Sequence, residues 1–278
     1  MDFPQVLVLG ATGRIGGFLR VLWGAKGANW QTRHPMDGPG WVCVDPLGDQ
    51  MGLARAAEGT DVILCLAGVV PSAKGKMEQN VDLAVAAMRA GAQVGARVLL
   101  TSSAAVYGRG TGQGEQSETD PVTPLSEYGR AKLAMERAGV AARDRDGVPV
   151  TSLRIGNVAG ADACLGGWRD GFVLDRFDDG ATPRRSYIGP ITLARVLRDL
   201  CTCPALPPIL NVSAPGSVEM GDLLTEAGLP WSARPAPAEA LADLTLDTSR
   251  LTALVEVPES AGRASALVSE WRKMEAPA

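Results

Sequence analysis

The sequence predicts an α/β protein built on a doubly wound parallel sheet. Short apolar runs alternate with longer helical patterns through the first half of the chain, several runs are apolar on both faces, and the first run leads directly into a glycine-rich turn. A strand that is apolar on both faces needs helices on both sides of its sheet. We therefore expect a Rossmann-type sheet with a smaller lobe after it.

Six apolar runs of the first half are predicted strands: Gln5–Leu9, Asn29–Thr32, Trp41–Val44, Asp61–Ala67, Arg97–Thr101 and Val148–Arg154. Leu, Val, Met and Ala recur at three- and four-residue spacing in the predicted helices between them: Ile15–Ala25, Gly48–Ala57, Glu78–Ala90 and Ser126–Arg143. Beyond Arg154 the pattern becomes irregular, and it predicts one more helix at Ile191–Leu200 and one more strand at Ile209–Val212.

Composition excludes several classes of protein. The chain has 278 residues, of which 46% are apolar and 21% charged, as expected for a folded globular protein. Its net charge is −4 and no run of Lys or Arg forms a basic stripe, so we expect no nucleic-acid partner. The longest apolar stretch, Val62–Val70, is too short to span a bilayer, and the N-terminus does not resemble a signal peptide.

Cysteine and histidine counts limit the chemistry. Five cysteines are an odd number, and they indicate a reducing compartment, so we expect a cytoplasmic protein. The one histidine, His34, leaves little to complete a metal site and excludes histidine-based triads, so we expect no metal.

Gly10, Gly13 and Gly16 form a G-x-x-G-x-x-G turn between the first strand and the first helix. Such a turn lets the backbone approach a pyrophosphate, whose charge lies against the N-terminus of the helix. A glycine-rich turn without a ligand is the alternative. With a ligand, residues 1–155 and about 188–213 would form a dinucleotide-binding domain, and residues 156–187 and 214–278 a small substrate lobe.

Tyr128 and Lys132 stand four residues apart on a predicted helix, so both side chains reach the same point. A neighbouring ammonium favours the phenolate, which lowers the pKa of a tyrosine towards the range of a general acid or base. The alternative is an exposed helix pair. The segment Thr101–Gly108 adds hydroxyl groups at the carboxyl end of a strand, where α/β sheets place functional groups, and simple turn chemistry is the alternative for this segment alone.

These features together resemble the extended short-chain dehydrogenases/reductases, the branch that includes nucleotide-sugar epimerases and reductases. The resemblance rests on six segments: Gly10-Ala11-Thr12-Gly13-Arg14-Ile15-Gly16, Leu66-Ala67-Gly68, Asn80-Val81, Ser103-Ala104-Ala105-Val106-Tyr107-Gly108, Tyr128-Gly129-Arg130-Ala131-Lys132 and Arg154-Ile155-Gly156-Asn157-Val158-Ala159-Gly160.

The resemblance implies a role for each matching residue. Tyr128 would be the catalytic acid/base, Lys132 would lower its pKa and hold the nicotinamide ribose, and Ser103 would hydrogen-bond the reacting oxygen of the substrate. Asn157 and Arg185 would lie near the substrate. Besides Tyr128 and Lys132, the implied contacts of a bound NAD(P) are Gly10, Thr12, Gly13, Arg14, Ile15, Gly16, Leu66, Ala67, Gly68 and Asn80.

The segment after the second strand bears on the choice of cofactor. An acid there would bind the ribose 2′-hydroxyl of NAD, but Gln31-Thr32-Arg33-His34 has no acid and offers a cation. The sequence therefore slightly favours NADP, although Arg33 could also stack on adenine. Asp45, after the third strand, would meet the adenine.

The sequence departs from the family pattern at three places, and these departures narrow the range of expected substrates and reactions. The substrate lobe is short, the usual acid after Arg185-Ser186-Tyr187-Ile188 is replaced by Gly189-Pro190-Ile191-Thr192, and Ala104-Ala105 stand where the dehydratases carry an Asp-Glu pair. Arg184 and Arg185 suit an anionic group, with simple solvation as the alternative.

We therefore expect an NAD(P)-dependent oxidoreductase or epimerase that moves hydride at a carbinol or ketone carbon of a sugar-like substrate, with a nucleotide sugar as one candidate. The alternative is a non-catalytic NAD(P)-binding redox sensor. The family resemblance also implies a homodimer formed by Glu78–Ala90 and Ser126–Arg143, with close approach at Ala86, Ala87, Ala134 and Ala138. A monomer whose alanines face the sheet is the alternative.

Overall fold

The computed structural model describes residues 3–71, 75–110 and 114–275. It divides into two compact units. The first unit comprises Met1–Val106, Pro124–Arg154 and Leu197–Leu210, and the second comprises Tyr107–Thr123, Ile155–Val196 and Asn211–Ala278. Residues 107–123 and 188–196, which the sequence-based division assigns to the nucleotide-binding domain, group with the second unit.

Strands of the described residues are numbered here in chain order: β1 Val6–Leu9, β2 Asn29–Thr32, β3 Trp41–Cys43, β4 Val62–Cys65, β5 Arg97–Ser103, β6 Val150–Ile155, β7 Asn157–Val158, β8 Val173–Arg176, β9 Arg184–Arg185, β10 Tyr187–Ile188, β11 Ile209–Val212, β12 Val218–Glu219, β13 Ser232–Pro235 and β14 Asp243–Leu244. The α-helices of the same residues are α1 Arg14–Trp23, α2 Gln50–Ala56, α3 Gln79–Val94, α4 Glu127–Asp146, α5 Pro190–Thr202, α6 Met220–Glu226, α7 Ser249–Thr252 and α8 Ala264–Glu275.

The described residues contain a central seven-stranded parallel sheet in the order β11-β6-β5-β4-β1-β2-β3, which confirms the predicted Rossmann-type α/β fold. The chain order reverses between β1 and β4, which pair in parallel with Leu9 opposite Cys65. In open α/β sheets this reversal marks the crevice where ligands bind. The turns that follow β1 and β4 therefore lie side by side.

An apolar core fixes the sheet to its helices in the first unit. Leu7, Leu9 and Ile63 are completely buried there, together with alanines of α3. Ala86 and Ala87, two of the four alanines expected at a dimer interface, belong to this core. Their small side chains allow α3 to pack closely against its own unit.

Helix α3 extends to Val94, four residues beyond the predicted end. Its Gly91 faces the sheet, because a Cβ there would lie 2.7 Å from Cγ2 of Val98. The helix ends instead at Gly95, whose φ of +73° is the left-handed conformation that glycine adopts most easily.

A second apolar core, which includes Leu165, Tyr187, Leu223 and Leu267, organises the second unit. Its strands form small sheets in the orders β10-β7, β12-β9-β14 and β13-β8. The sequence did not predict these strands, because runs of two to four residues show no usable periodicity.

Helix α5 begins after Gly189, which has no side chain to cap it. The Glu270 carboxylate of α8 accepts the backbone N–H of Thr192 at 2.8 Å and its hydroxyl at 2.6 Å. Glu270 thus supplies the acid that is missing after β10. Among the described residues, no helix is long and apolar enough to cross a membrane.

Candidate functional site

The glycine turn after β1 is packed tightly against its neighbours. Gly10 has a φ of +78°, and a Cβ on it would lie 2.6 Å from the backbone nitrogen of Ala67, in the turn after β4. A Cβ on Gly16 would lie 2.6 Å from the carbonyl oxygen of Ala11. Only glycine fits at these two positions, so the predicted cofactor turns after β1 and β4 meet directly.

Helix α1 begins in the same turn. Gly13 is its N-cap residue, in extended conformation and without a side-chain cap. Thr12 and Arg14 are exposed and Ile15 is half-buried. A helix N-terminus that no side chain caps presents backbone N–H groups and a partial positive charge, which suits a phosphate.

Gln31 on β2 supports this turn, and the sequence analysis did not identify it. Its side-chain oxygen accepts the N–H of Gly10 at 2.9 Å, and its side-chain nitrogen donates to the carbonyl of Val44 at 2.7 Å. A glutamine next to the large apolar Trp30 in a predicted buried strand is the signal that could have revealed it. Arg33 and Asp45, the residues expected to face the adenosine, are both exposed.

Asn80 holds the turn after β4 from the N-terminal end of α3. Its side chain donates to the carbonyls of Val69 and Met77 and accepts the N–H of Val69 at 3.2 Å. A Cβ on Gly68 would lie 2.7 Å from the Asn80 side-chain oxygen and 3.2 Å from Nζ of Lys132. The predicted cofactor residues Gly68 and Asn80 and the predicted catalytic lysine therefore come together.

Helix α4 brings Tyr128 to the end of β5. Ser126 caps the helix by accepting the N–H of Gly129 at 3.0 Å. A Cβ on Gly129 would lie 2.5 Å from the carbonyl oxygen of Ala105, so this glycine lets the helix approach the turn that follows Ser103.

The Ser103 hydroxyl lies beside the Tyr128 phenol and accepts the N–H of Ala105 at 3.2 Å. Burial raises the pKa of Tyr128, and the neighbouring Ser103 hydroxyl opposes this rise. The net direction is opposite to the one predicted for a tyrosine beside an ammonium, because burial is the largest effect on this phenol.

Lys132 is buried and donates from Nζ to the carbonyl of Thr101 at 2.8 Å. Its Nζ lies 5.7 Å from the centroid of the Tyr128 ring. Burial lowers the pKa of Lys132 to about 8, while Cys65 and Glu136 oppose this by favouring the ammonium. The predicted trio of Ser103, Tyr128 and Lys132 is thus assembled around the end of β5.

A buried ion pair lies next to the trio, and the sequence analysis did not identify it. Glu136 and Arg154 are 2% and 4% exposed, and Nη2 of Arg154 lies 2.8 Å from Oε2 of Glu136. Oε1 of Glu136 accepts the Ser102 hydroxyl at 2.5 Å. Glu136 follows Lys132 by four residues, and this spacing is the signal that could have revealed it.

The second unit contains the two predicted substrate residues. The Asn157 side chain lies beside the phenol of Tyr187, which donates to Oδ2 of Asp162 at 2.8 Å. Both terminal nitrogens of Arg185 donate to backbone carbonyls, Nη1 to Ala242 at 2.9 Å and Nη2 to Leu241 at 2.8 Å. Arg185 therefore fixes the segment before β14.

Solved structures of similar fold include enzymes with several activities. UDP-N-acetylglucosamine 4-epimerase from Methanobrevibacter ruminantium is 17% identical with a TM-score of 0.75, covering 99% of this chain and 100% of that chain. The dTDP-glucose 4,6-dehydratase from Streptomyces venezuelae, solved with NAD, is 20% identical with a TM-score of 0.72 and 97% coverage of both chains. L-threonine dehydrogenase from Clostridium difficile is 14% identical with a TM-score of 0.78, covering 99% of this chain and 98% of that one.

At these identities the structural similarity shows the fold alone. No curated protein matches the chain in sequence. The family model of the NAD dependent epimerase/dehydratase family matches residues 6–171, a span that contains the glycine turn, Ser103, Tyr128 and Lys132. This match confirms the resemblance to the extended short-chain dehydrogenases/reductases, and the chain belongs to the NAD-dependent epimerase/dehydratase family.

Proposed function

We propose that the protein is an NAD(P)-dependent oxidoreductase or epimerase that acts at a carbinol or ketone carbon of a sugar-like substrate. The observation that carries this proposal is the assembly of Ser103, Tyr128 and Lys132 at the carboxyl end of β5, in the unit that contains the glycine turn. A hydroxyl, a phenol and an ammonium in mutual reach can move a proton to or from an alcohol oxygen.

The first unit fits a dinucleotide. Cβ atoms at positions 10 and 16 would fill the turn after β1, and Gly10 and Gly16 leave this space open. The N-terminus of α1 has no side-chain cap. Thr12, Gly13, Arg14 and Ile15 complete the phosphate-binding turn in our proposal. When bound, the nicotinamide accepts or donates the hydride.

Other residues would bind the remainder of the cofactor. In our proposal Leu66, Ala67, Gly68 and Asn80 line the turn after β4, and Asp45 meets the adenine. Arg33 is exposed after β2 in a segment without an acid, which supports NADP over NAD.

This chain's own residues handle the proton. Tyr128 takes the proton of the substrate hydroxyl in the oxidative direction and returns it in the reductive direction, while Ser103 hydrogen-bonds the same oxygen. The Lys132 ammonium stabilises the phenolate when it forms. It has three N–H groups, one of which is bound to Thr101, and another would bind the nicotinamide ribose.

The second unit would bind the substrate through residues 156–187 and 214–278, with Asn157 and Arg185 as its polar contacts. A nucleotide sugar is supported by the epimerase and the dehydratase of similar fold, whose names contain such sugars. The threonine dehydrogenase of similar fold makes a smaller alcohol the competing substrate class.

The test is a turnover assay with purified protein. NDP-glucose, UDP-N-acetylglucosamine and L-threonine are incubated with each nicotinamide cofactor, and products are identified by NMR while absorbance reports the reduced cofactor. Formation of a keto product or a sugar epimer supports the proposal. Tight cofactor binding without turnover of any substrate contradicts it and points to a redox sensor.

Two further properties belong to this proposal. All five cysteines are free, which supports a reducing compartment such as the cytoplasm. We also propose a homodimer through α3 and α4, where Ala134 is exposed and Ala138 is half-buried. Light scattering should then give twice the chain mass of 29.0 kDa, and a monomer mass at micromolar concentration would reject the dimer.

A further inference from the structure

Three residues of α4, spaced one turn apart, face three consecutive residues of β5. Tyr128 lies beside Ser103, Lys132 donates to the carbonyl of Thr101, and Glu136 accepts the hydroxyl of Ser102. Residues at i, i+4 and i+8 lie along one face of a helix. The function proposed above uses the first two and leaves Glu136 without a role.

The strand order places the carboxylate of Glu136 between two cations, Lys132 and Arg154. Arg154 belongs to β6 and Cys65 to β4, which lie on opposite sides of β5 in the sheet. The ammonium of Lys132, a residue of α4, interacts with Cys65, whereas the carboxylate of Glu136, on the same helix, binds Arg154. The carboxylate therefore lies on the Arg154 side of Lys132, one helical turn from the lysine.

We propose that Glu136 is a positioning residue that keeps Lys132 charged and pressed against the carbonyl of Thr101. The proposal rests on the function proposed above, in which that ammonium serves Tyr128. Ser102 and Arg154 fix the carboxylate in turn, since Oε1 accepts the Ser102 hydroxyl and both Oε atoms accept N–H groups of Arg154.

The other groups around Lys132 explain why a nearby anion is needed to keep the lysine charged. Burial favours the neutral amine, and among the described residues the titratable groups facing the ammonium are Cys65 on β4 and Tyr128 and Glu136 on α4. Asn80 of α3, which lies with Lys132 beside Gly68, is neutral. Burial raises the pKa of Cys65 to about 11, so its thiol supplies no charge at neutral pH. The carboxylate of Glu136 is then the anion that opposes the neutralisation of Lys132.

A purely structural ion pair is the competing explanation. Buried pairs can fix a core without influencing a neighbouring titration, and neutral replacements of both partners are often tolerated. The two explanations differ in what happens to Lys132, because a structural pair can be replaced without changing the pKa of the lysine.

The test measures the pKa of Lys132 directly, in protein without substrate or cofactor. Lysines carry ¹³C at Cε, the Lys132 signal is assigned by its loss in Lys132→Met, and its chemical shift is followed from about pH 6 to about pH 11. In Glu136→Gln the pKa should fall by about one unit, since the negative charge of Glu136 favours the ammonium. Asp144→Asn is the matched control, because Asp144 is an exposed acid two turns further along α4, and it should leave the pKa unchanged.

If the single variant does not fold because Arg154 has lost its partner carboxylate, a double variant replaces it. Glu136→Gln with Arg154→Gln removes both charges and leaves two amide side chains that can hydrogen-bond, and the pKa of Lys132 should still fall, because Glu136 and not Arg154 is among the charges that act on the lysine. An unchanged pKa in the folded single or double variant overturns the proposal.

An activity measurement separates this proposal from the function on which it rests. Where turnover is found, the alkaline limb of kcat should move to lower pH in Glu136→Gln by the same amount as the pKa of Lys132, with KM little changed. Protein without turnover contradicts the proposed function but leaves the NMR titration readable. A shifted Lys132 pKa without the matching shift of kcat contradicts the positioning role.

Discussion

The Glu270 carboxylate of α8 caps helix α5 across 78 residues of sequence by binding Thr192 at its first turn. N-cap side chains normally belong to the residue that precedes the helix, and Gly189 in that position has none. A Cβ on Gly189 would overlap Oε2 of Glu270, so a side chain at this position would displace the remote acid from the cap.

We expect Glu270→Ala to destabilise the protein by about 1–2 kcal/mol, because the N–H and hydroxyl of Thr192 lose their acceptor. The measurement is the free energy of unfolding from denaturant titration. Glu275→Ala, at the end of the same helix, is the control and should stay within about 0.5 kcal/mol of the native protein.

The cap of α5 can also be moved from Glu270 to position 189. Gly189→Asp alone should destabilise the protein, since its Cβ meets Glu270, whereas in the Glu270→Ala background it should recover stability by capping α5 locally. Additive effects of the two substitutions would show that the carboxylate of Glu270 is not the cap.

Tyr128→Phe should keep the affinity for the cofactor and lose turnover by about 10²–10⁴-fold, because only the transferable proton is removed. Calorimetric titration of the cofactor and steady-state rates with a verified substrate separate the two effects. Turnover equal to that of the native protein would show that another group moves the proton.

NADP should bind more tightly than NAD, and Arg33→Ala should abolish the difference by removing the cation after β2. Calorimetric titration of both cofactors against both proteins measures this. Native protein that binds NAD at least as tightly as NADP contradicts the preference.

The protein should not catalyse 4,6-dehydration of a sugar nucleotide. Ala104 and Ala105 follow Ser103, and methyl groups cannot provide the second acid and base that elimination of water needs. Incubation with NDP-glucose tests this, since accumulation of a 4-keto-6-deoxy sugar would refute the exclusion. Stoichiometric consumption of NADPH with a 4-keto sugar would instead identify a reductase.

Local sequence patterns predicted most of the first unit. The strands Asn29–Thr32 and Ile209–Val212 match the structure to the residue, because each is a short run with clear boundaries. Tyr128 and Lys132 were recognisable because their spacing on one helix is itself local.

Residues whose partners are remote in sequence were not predictable. Gln31 acts through Gly10 and Val44, and Glu270 acts through Thr192. Helix α3 was predicted too short for a similar reason, since Gly91 favours a helix end unless Val98 is known to pack against it. In each case tertiary packing decides what the local pattern leaves open.

The distribution of the 3 tyrosines has an optical consequence. Tyr107 and Tyr187 are 0% and 1% exposed, whereas Tyr128 is only partly covered. Burial raises the pKa of Tyr187 well above its ordinary value, so the ultraviolet band of an ionised phenol should come from Tyr128 at a lower pH than from Tyr187. Ultraviolet absorbance can thus follow the ionisation of the proposed catalytic acid before any substrate has been found.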